Sequence, residues 1–321
     1  MLGGMFAAML ALTALATAVP QFLFARHLKS LGTGIPETRW TMVNVSPNRE
    51  QADCHLLEFP DGTKVLIDVA DAADAPGTAL AYLKMRKIDR IELVVISHFH
   101  RDHYGRLADL VKAGVQIGRV ALNVPASRDL ADRERPWGMD WEDVQSVLAL
   151  LRDRRIPYFT PKAGERLVDI TVGGVPVHLD TVCAFDGVHT PVGTTDVNDT
   201  SIVLRLSHGK IRALFTGDLN GKIGAWLAAN CPDLSADLLK IPHHGTEGCA
   251  PDSFYDRVQA KAAFVPGPRE LWLSQRSQRI RTYFAEHGIP VYVSGIHGHV
   301  TVTMTENAFT VRAEGNSWPV R

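Results

Sequence analysis

The 321-residue chain has only four cysteines, Cys54, Cys183, Cys231 and Cys249, scattered through its length with no CxxC pair. That spacing argues against a thiolate zinc ribbon, so any metal here would sit on imidazole and carboxylate. An excess of either charge is missing as well: 34 Lys and Arg stand against 35 Asp and Glu, a net charge of -1. With no bulk basic field to hold a polyanion, extended nucleic acid is disfavoured as a substrate, and any phosphate would need a local site. Repeats and low-complexity linkers are absent, and 45% hydrophobic with 21% charged residues is a globular composition, which excludes disorder and collagen-like repetition. What the chain has in quantity is histidine, with 13 residues.

Charge is also lacking from Met1 to Ala25, a run closed by Arg26 and Lys29 and long enough to cross a bilayer as a helix. Three readings fit it. A secretory signal would use the small residues Ala14, Ala16 and Ala18, but no cation precedes the apolar part. A membrane anchor would give membrane contact through residues 1–25 and leave the positive flank on the cytoplasmic side. A packed or dimer-forming helix, or a start codon placed too early, is the third. Localisation therefore stays open between secreted or periplasmic, membrane-anchored and cytoplasmic.

Beyond Glu37 strands and helices alternate. WTMVNVS and CHLLEFP are β-rich, and Pro60-Asp61-Gly62 turns the second into KVLIDV, predicting a hairpin. The spacing predicts helices over Thr78 to Arg86, Leu107 to Ala113 and Trp141 to Arg154, the last capped by Asp140. IELVVIS is a continuous apolar run, as expected of a strand buried on both faces. Four strand patterns, RLVDITV, VPVHLDTV, SIVLRLS and IRALFTG, come next, followed by renewed alternation through Asp252 to Ala260, AAFVPG, Arg276 to His287, VYVSG and VTVTM. Two β-rich halves with helices and no dividing linker predict face-to-face sheets with helices outside, one domain over 38–321.

The chemistry starts where IELVVIS ends. SHFHRDH places His98, His100, Asp102 and His103 within six residues, and a loop leaving a strand can turn alternate side chains toward one point. His98 and His100 can share one metal while Asp102 and His103 reach a second. Nitrogen and carboxylate donors of this kind suit zinc first, with manganese or iron as alternatives. LFTGD later delivers Asp218 at a strand end, and KIPHHG supplies His243 and His244 ahead of Gly245.

In that order, these segments resemble the metallo-β-lactamase superfamily of hydrolases, and within it the ComEC-like branch. His98, His100, Asp102 and His103 match the superfamily's HxHxDH motif, Asp218 its bridging aspartate, and His243 or His244 its final histidine. FPDGTKVLIDVAD, VNDTSIVLRL with ALFTGD, and LKIPHHGTEG are similar to the branch's hairpin, Asn-x-x-Ser, TGD and HHGS elements. The resemblance implies an α+β fold, an αββα four-layer sandwich, with two divalent ions at one edge and hydrolysis by a hydroxide bridged between them. It implies a metal set of His98, His100, Asp102, His103, Asp218 and His243, with Asp102 and Asp218 also acting in catalysis and His244 donating to the oxyanion or leaving group. Asp68, ending KVLID, would orient a ligand histidine or simply close a strand.

Departures from the family pattern narrow the substrate. Where a further ligand histidine is common, the chain has Asn198-Asp199, making Asp199 the first candidate and Asn198 the second; His178 and His189 are weaker ones. The branch's DVGQGD element is replaced by NVSPNREQADC, and its Asn-x-Tyr-Gly-His-Pro element by GPRELWLSQRS, which removes a substrate-facing histidine. His297 and His299 in GIHGH fit a hairpin turn better than a replacement. Trp137 and Trp141, among Arg133, Arg135 and Asp140, would rim a cleft or pack on the next helix. A small or medium-sized phosphodiester or ester follows as substrate. A β-lactamase or lactonase activity, or a metal-binding member of the fold without turnover, are the alternatives.

Overall fold

The apolar run IELVVIS becomes a central strand whose alternate side chains enter two different cores, and the fold is built outward from it. A computed structural model describes residues 34–45, 50–69 and 78–315. Met1–Pro36 and Glu37–Arg321 group as separate units, and the second is described here. The uncharged run 1–25 lies outside the described residues, and among those residues no helix is long and apolar enough to cross a membrane.

The first sheet contains β1 (Thr38–Met42), β2 (Cys54–Glu58), β3 (Lys64–Val69), β4 (Arg90–Ile96), β5 (Gln116–Leu122) and β6 (Tyr158–Phe159). The second contains β7 (Arg166–Val172), β8 (Val175–Cys183), β9 (Val203–His208), β10 (Ile211–Phe215), β11 (Leu238–Lys240), β12 (Ala262–Val265) and β13 (Val291–Val293), in the order β13-β12-β11-β10-β9-β8-β7. The chain then returns: β14 (Val300–Met304) and β15 (Phe309–Ala313) join the first sheet, whose order is β15-β14-β1-β2-β3-β4-β5-β6. Both sheets are mixed, with antiparallel hairpins such as β2–β3 and β9–β10 beside parallel pairs such as β3–β4 and β10–β11.

Between the sheets, Trp40, Leu57, Val65, Leu93 and Val95 meet Leu204, Leu206, Phe215 and Phe264 in one core. On the outer face of the first sheet Ile91, Val94 and Ile96 of β4 pack with α1 (Thr78–Met85), α2 (Arg101–Tyr104), α3 (Leu107–Lys112), α4 (Arg128–Arg133) and α5 (Trp141–Asp153). The second sheet is covered by α6 (Gly221–Asn230), α7 (Asp252–Val258), α8 (Arg269–Leu273) and α9 (Gln278–Glu286). Helices, sheet, sheet, helices: the expected four-layer α+β sandwich is the architecture observed.

Local signals act where the sequence placed them. The Asp140 carboxylate accepts from the Glu142 and Asp143 amides at 2.9 and 3.1 Å and starts α5, a cap worth about 1 kcal/mol. Gly62, at φ 92°, closes the β2–β3 hairpin.

Candidate metal centre

The parallel and antiparallel pairings bring specific strand ends to one rim. In the first sheet these are the ends of β3 and β4 and the start of β2; in the second, the ends of β10 and β11 and the start of β9. Every residue of the two expected histidine segments, together with Asp218 and Asn198, is carried on a loop leaving one of these ends.

His98, His100 and His103 are all buried, at 0%, 6% and 0% exposure. His98 Nε2 and His100 Nδ1 face each other at 3.2 Å. His103 Nε2 lies 3.3 Å from Asp218 Oδ2, and His244 Nε2 lies 3.2 Å from both Asp218 Oδ2 and Asp102 Oδ2. Three of the four rings are held by the other nitrogen, while His100 Nε2 is buried without a hydrogen bond. His98 Nδ1 is 3.1 Å from the Ser97 hydroxyl, His100 Nε2 sits 3.6 Å from Glu134 Oε2, His103 Nδ1 is 2.9 Å from Asp68 Oδ2, and His244 Nδ1 donates to the Pro266 carbonyl at 2.7 Å. Asp68 is itself fixed by the Ser97 amide and hydroxyl at 2.7 and 2.8 Å, so the expected orienting role has a geometric basis. Imidazoles tied at one nitrogen and aimed by the other are the arrangement that metal ligands adopt.

Asp218 depends on the glycine before it. Gly217 has φ +52°, and a Cβ there would fall 2.6 Å from Ser201 Cβ and 3.1 Å from Ser97 Cβ. Only glycine lets this strand end approach the β4 loop so closely. Ser201, of the Asn-x-x-Ser element, then accepts the Asp218 amide at 2.9 Å. His243 and His244 are themselves left-handed, at φ 48° and 50°, an uncommon conformation for side-chain-bearing residues.

That left-handed turn separates the neighbouring histidines. His244 is fully buried and joins Asp53, His103 and Asp218, whose potential ligand atoms all lie within 4.8 Å. His243 instead lines a cleft of about 570 Å³ that also contacts His100, Asp102, Asn198 and Asp218, and its Nδ1 is buried without a partner. His244 is thus the ring placed in the buried group and His243 the one at the cleft, whereas the sequence reading puts the ligand at His243 and the donor at His244.

Asn198 and Asp199 exchange too. Asn198 lines the cleft with its Oδ1 buried and unpartnered, whereas Asp199 Oδ1 accepts the Asn220 amide at 2.9 Å and faces a neighbouring pocket with Arg133 and Lys222. Burial, reinforced by Asp196, pushes the Asp199 carboxyl up to about 7. Its folded pKa is above its unfolded one, so the stabilisation by the neutral acid is full below about pH 4 and is lost as pH rises through about 7. Asp199→Asn, which keeps the acceptor, is therefore expected to gain about 2 kcal/mol over wild type between pH 5 and pH 9, read as a widening gap in urea midpoints. A constant gap would refute it.

Other expected residues lie elsewhere. His178 pairs with Asp169 at 3.1 Å, and His189 pairs with Asp186 at 2.7 Å while 83% exposed. His297 packs against the Val293 backbone and His299 accepts the Asn44 amide at 2.9 Å, as turn residues would. Trp137, 74% exposed, does stand at the cleft, while Trp141 packs onto the outer core.

The charges match a cation-binding centre. Burial opposes it, but the positive partners His244, His103 and Lys240 hold Asp218 well below the usual carboxylate range. Burial would lower His244, yet Asp218, Asp102 and Asp53 outweigh it and raise the ring to about 10. His98, which Asp218 raises too little to compensate, is driven well below the usual imidazole range by burial and by His103 and His100. The orphaned Asn198 Oδ1, the inward ring nitrogens and two aspartates make an N/O donor set that fits divalent metal, with Asp218 Oδ2 beside His103 and His244 and Asp102 Oδ2 beside His244.

Comparison with known proteins agrees with this geometry. ComE operon protein 3 of Bacillus subtilis (strain 168) is 21% identical over 227 residues, covering 69% of this chain and 26% of that protein. The chain therefore spans about a quarter of that relative's length. The solved structure of the metallo-beta-lactamase fold protein YhfI from Bacillus subtilis is 13% identical with a TM-score of 0.47, covering 86% of this chain and 100% of YhfI. Igni18, a metallo hydrolase from the archaeon Ignicoccus hospitalis, is 12% identical with a TM-score of 0.46, covering 86% of this chain and 98% of its own. The family model described as the metallo-beta-lactamase superfamily matches residues 47–248, more than half of the sequence. With that match laid over the strand ends that carry its histidines and aspartates, the chain belongs to the metallo-beta-lactamase superfamily.

Proposed function

We propose that this chain is a metal-dependent hydrolase with a two-ion centre, zinc in first place, acting on a small or medium-sized phosphodiester or ester. The observation that carries this is a buried cluster of four histidines: His103 and His244, each tied at Nδ1, direct Nε2 toward Asp218, and His98 Nε2 and His100 Nδ1 face each other. His98, His100 and Asn198 would hold one ion, Asp102, His103 and His244 the other, with Asp218 shared. Bound divalent ions supply Lewis acidity and an activated water near neutral pH.

The chain's own groups do the rest. Asp218 presents Oδ2 to the His103 and His244 side of the site. His243, lowered by burial and therefore neutral at pH 7, lines the cleft with a ring that can accept a proton there or donate a hydrogen bond to a leaving oxygen. A cleft of about 570 Å³ is the size of small-molecule sites. Its wall carries Glu134, Asp196 and Glu247 beside Arg276, and Arg276 is paired with Glu247 at 2.7 Å, a lining that repels a polyanionic strand.

Purified protein loaded with zinc or manganese and tested on bis-p-nitrophenyl phosphate, simple esters and nitrocefin decides the matter. Uptake of about two ions per chain with turnover of a phosphodiester or ester is expected. Fewer than about one ion per chain, with no turnover of any substrate, would overturn the proposal. Turnover of nitrocefin alone would move it to a β-lactamase.

A further inference from the structure

Behind the candidate ligands lies a buried cation that the two-ion reading leaves unused. Lys240, the last residue of β11, is 1% exposed. Its ammonium donates to the Gly217 carbonyl at 2.6 Å and to Asp218 Oδ1 at 3.2 Å, and is ion-paired with Asp53 Oδ2 at 2.7 Å. The oxygen of Asp218 that it takes is not the one facing His103 and His244, which is Oδ2.

Asp53 is fully buried and lies close enough to His103, Asp218 and His244 to be mistaken for a fifth ligand. Its position argues otherwise. It approaches His103 at Nδ1, at 3.5 Å, on the ring edge already held by Asp68, whereas Asp102 and Asp218 lie toward Nε2. The other Asp53 oxygen points to His55 Nε2 at 3.4 Å. Two residues earlier, Gln51 Nε2 donates to Asp102 Oδ2 at 3.1 Å, and the Asp53 amide donates to the Asp102 carbonyl at 3.0 Å. One short segment before β2 therefore touches both aspartates of the centre, Asp102 directly and Asp218 through Lys240.

We propose that Gln51, Asp53 and Lys240 are positioning residues: Lys240 holds one oxygen of Asp218 so that the other is aimed at the ions, Asp53 balances the Lys240 charge, and Gln51 with the Asp53 amide fixes Asp102. This rests on the two-ion reading. An ammonium in contact with Asp218 also competes with an incoming divalent cation for that carboxylate, and Asp53 is what limits the competition by sharing the ammonium. Asp53→Asn leaves Asp218 as the sole carboxylate on Lys240, so the centre binds ions more weakly. Adding Lys240→Met removes the competing charge together with the tether on Asp218 Oδ1, so binding recovers in part.

The test uses the full chain stripped of metal and then titrated with zinc, following both the metal-induced rise in melting temperature and competition with a chromophoric chelator. Asp53→Asn is expected to weaken zinc binding about 10- to 100-fold and to shrink the melting rise, with partial recovery in the double variant. A packing role alone would shift the apo and loaded melting points equally and leave the rise unchanged. Equal rises in wild type and Asp53→Asn, or a double variant as weak as Asp53→Asn, overturn the proposal alone. Absence of any rise in wild type overturns the two-ion reading and this proposal with it. If Asp53→Asn does not fold, Gln51→Ala, which removes one hydrogen bond from a half-buried side chain, decides by the same measure: a smaller rise supports the proposal and an unchanged one overturns it.

Discussion

Asp218→Ala is expected to abolish hydrolysis, lowering kcat/KM by about 10³-fold or more on whichever substrate the wild type turns over. Its Oδ2 lies within 3.3 Å of both the His103 and the His244 inward nitrogens, whereas Asp102 Oδ2, 3.2 Å from His244, is 3.8 Å from His103. The fold should survive the change. Lys240 keeps Asp53 at 2.7 Å and the Gly217 carbonyl at 2.6 Å, and the residue 218 amide keeps the Ser201 hydroxyl. Steady-state kinetics with circular dichroism as the folding control checks this, and a folded variant at full rate would remove the shared role from Asp218.

His244→Ala and His243→Ala should separate cleanly although the residues are adjacent. Loss of His244 is expected to drop the metal content toward about one ion per chain and the rate by about 10³-fold, because an inward nitrogen fixed by the Pro266 carbonyl disappears. Loss of His243 should leave metal content unchanged and lower kcat about 10²-fold, since it lines the cleft without joining the buried group. The opposite pattern in elemental analysis would assign the ligand to His243.

Proton accounting gives an independent check on His244. Without an ion, Asp218 and Asp102 hold the ring protonated up to about 10; the stability this adds is complete below about pH 6.5 and is lost as pH rises through about 10. An ion must displace that proton, so zinc uptake at pH 7 should release protons and tighten as pH rises, and the release should be smaller in His244→Ala.

The fold was legible from patterning because the strands that matter carry it strongly. IELVVIS reads as doubly buried, and it is; Pro60-Asp61-Gly62 reads as a hairpin turn, and it is. The short strand Leu238–Lys240 was hidden inside LLKIPHHG, where three apolar-looking positions give no period. In the site, HxHxDH and TGD carry their own geometry because the ligands follow a strand end by a few residues. What sequence could not resolve was set by backbone hand: only the left-handed φ of His243 and His244 determines which ring turns inward. Gln51 and Asp53 were passed over because the surrounding segment departs from the family pattern, although a glutamine two residues before an aspartate survives in it. Lys240 was invisible for a different reason, since a lysine beside a strand is ordinarily solvated and its burial depends on Asp53 from nearly 190 positions away.

The pairing of β1 with β14 has a consequence for synthesis. Met42 lies opposite Val300, so the first sheet acquires the neighbour of its β1 edge only after nearly the whole chain has been made. At roughly 5–20 residues per second, about 200 residues separate the emergence of His103 from that of β14 by some 10 to 40 s. Through that interval β1 presents an unpaired hydrogen-bonding edge beside the buried Trp40, the kind of surface that pairs with whatever strand is nearest. Slow, late closure of a long-range contact is thus part of how this molecule reaches its native state on the ribosome, and the last strands act as the latch that ends its exposure.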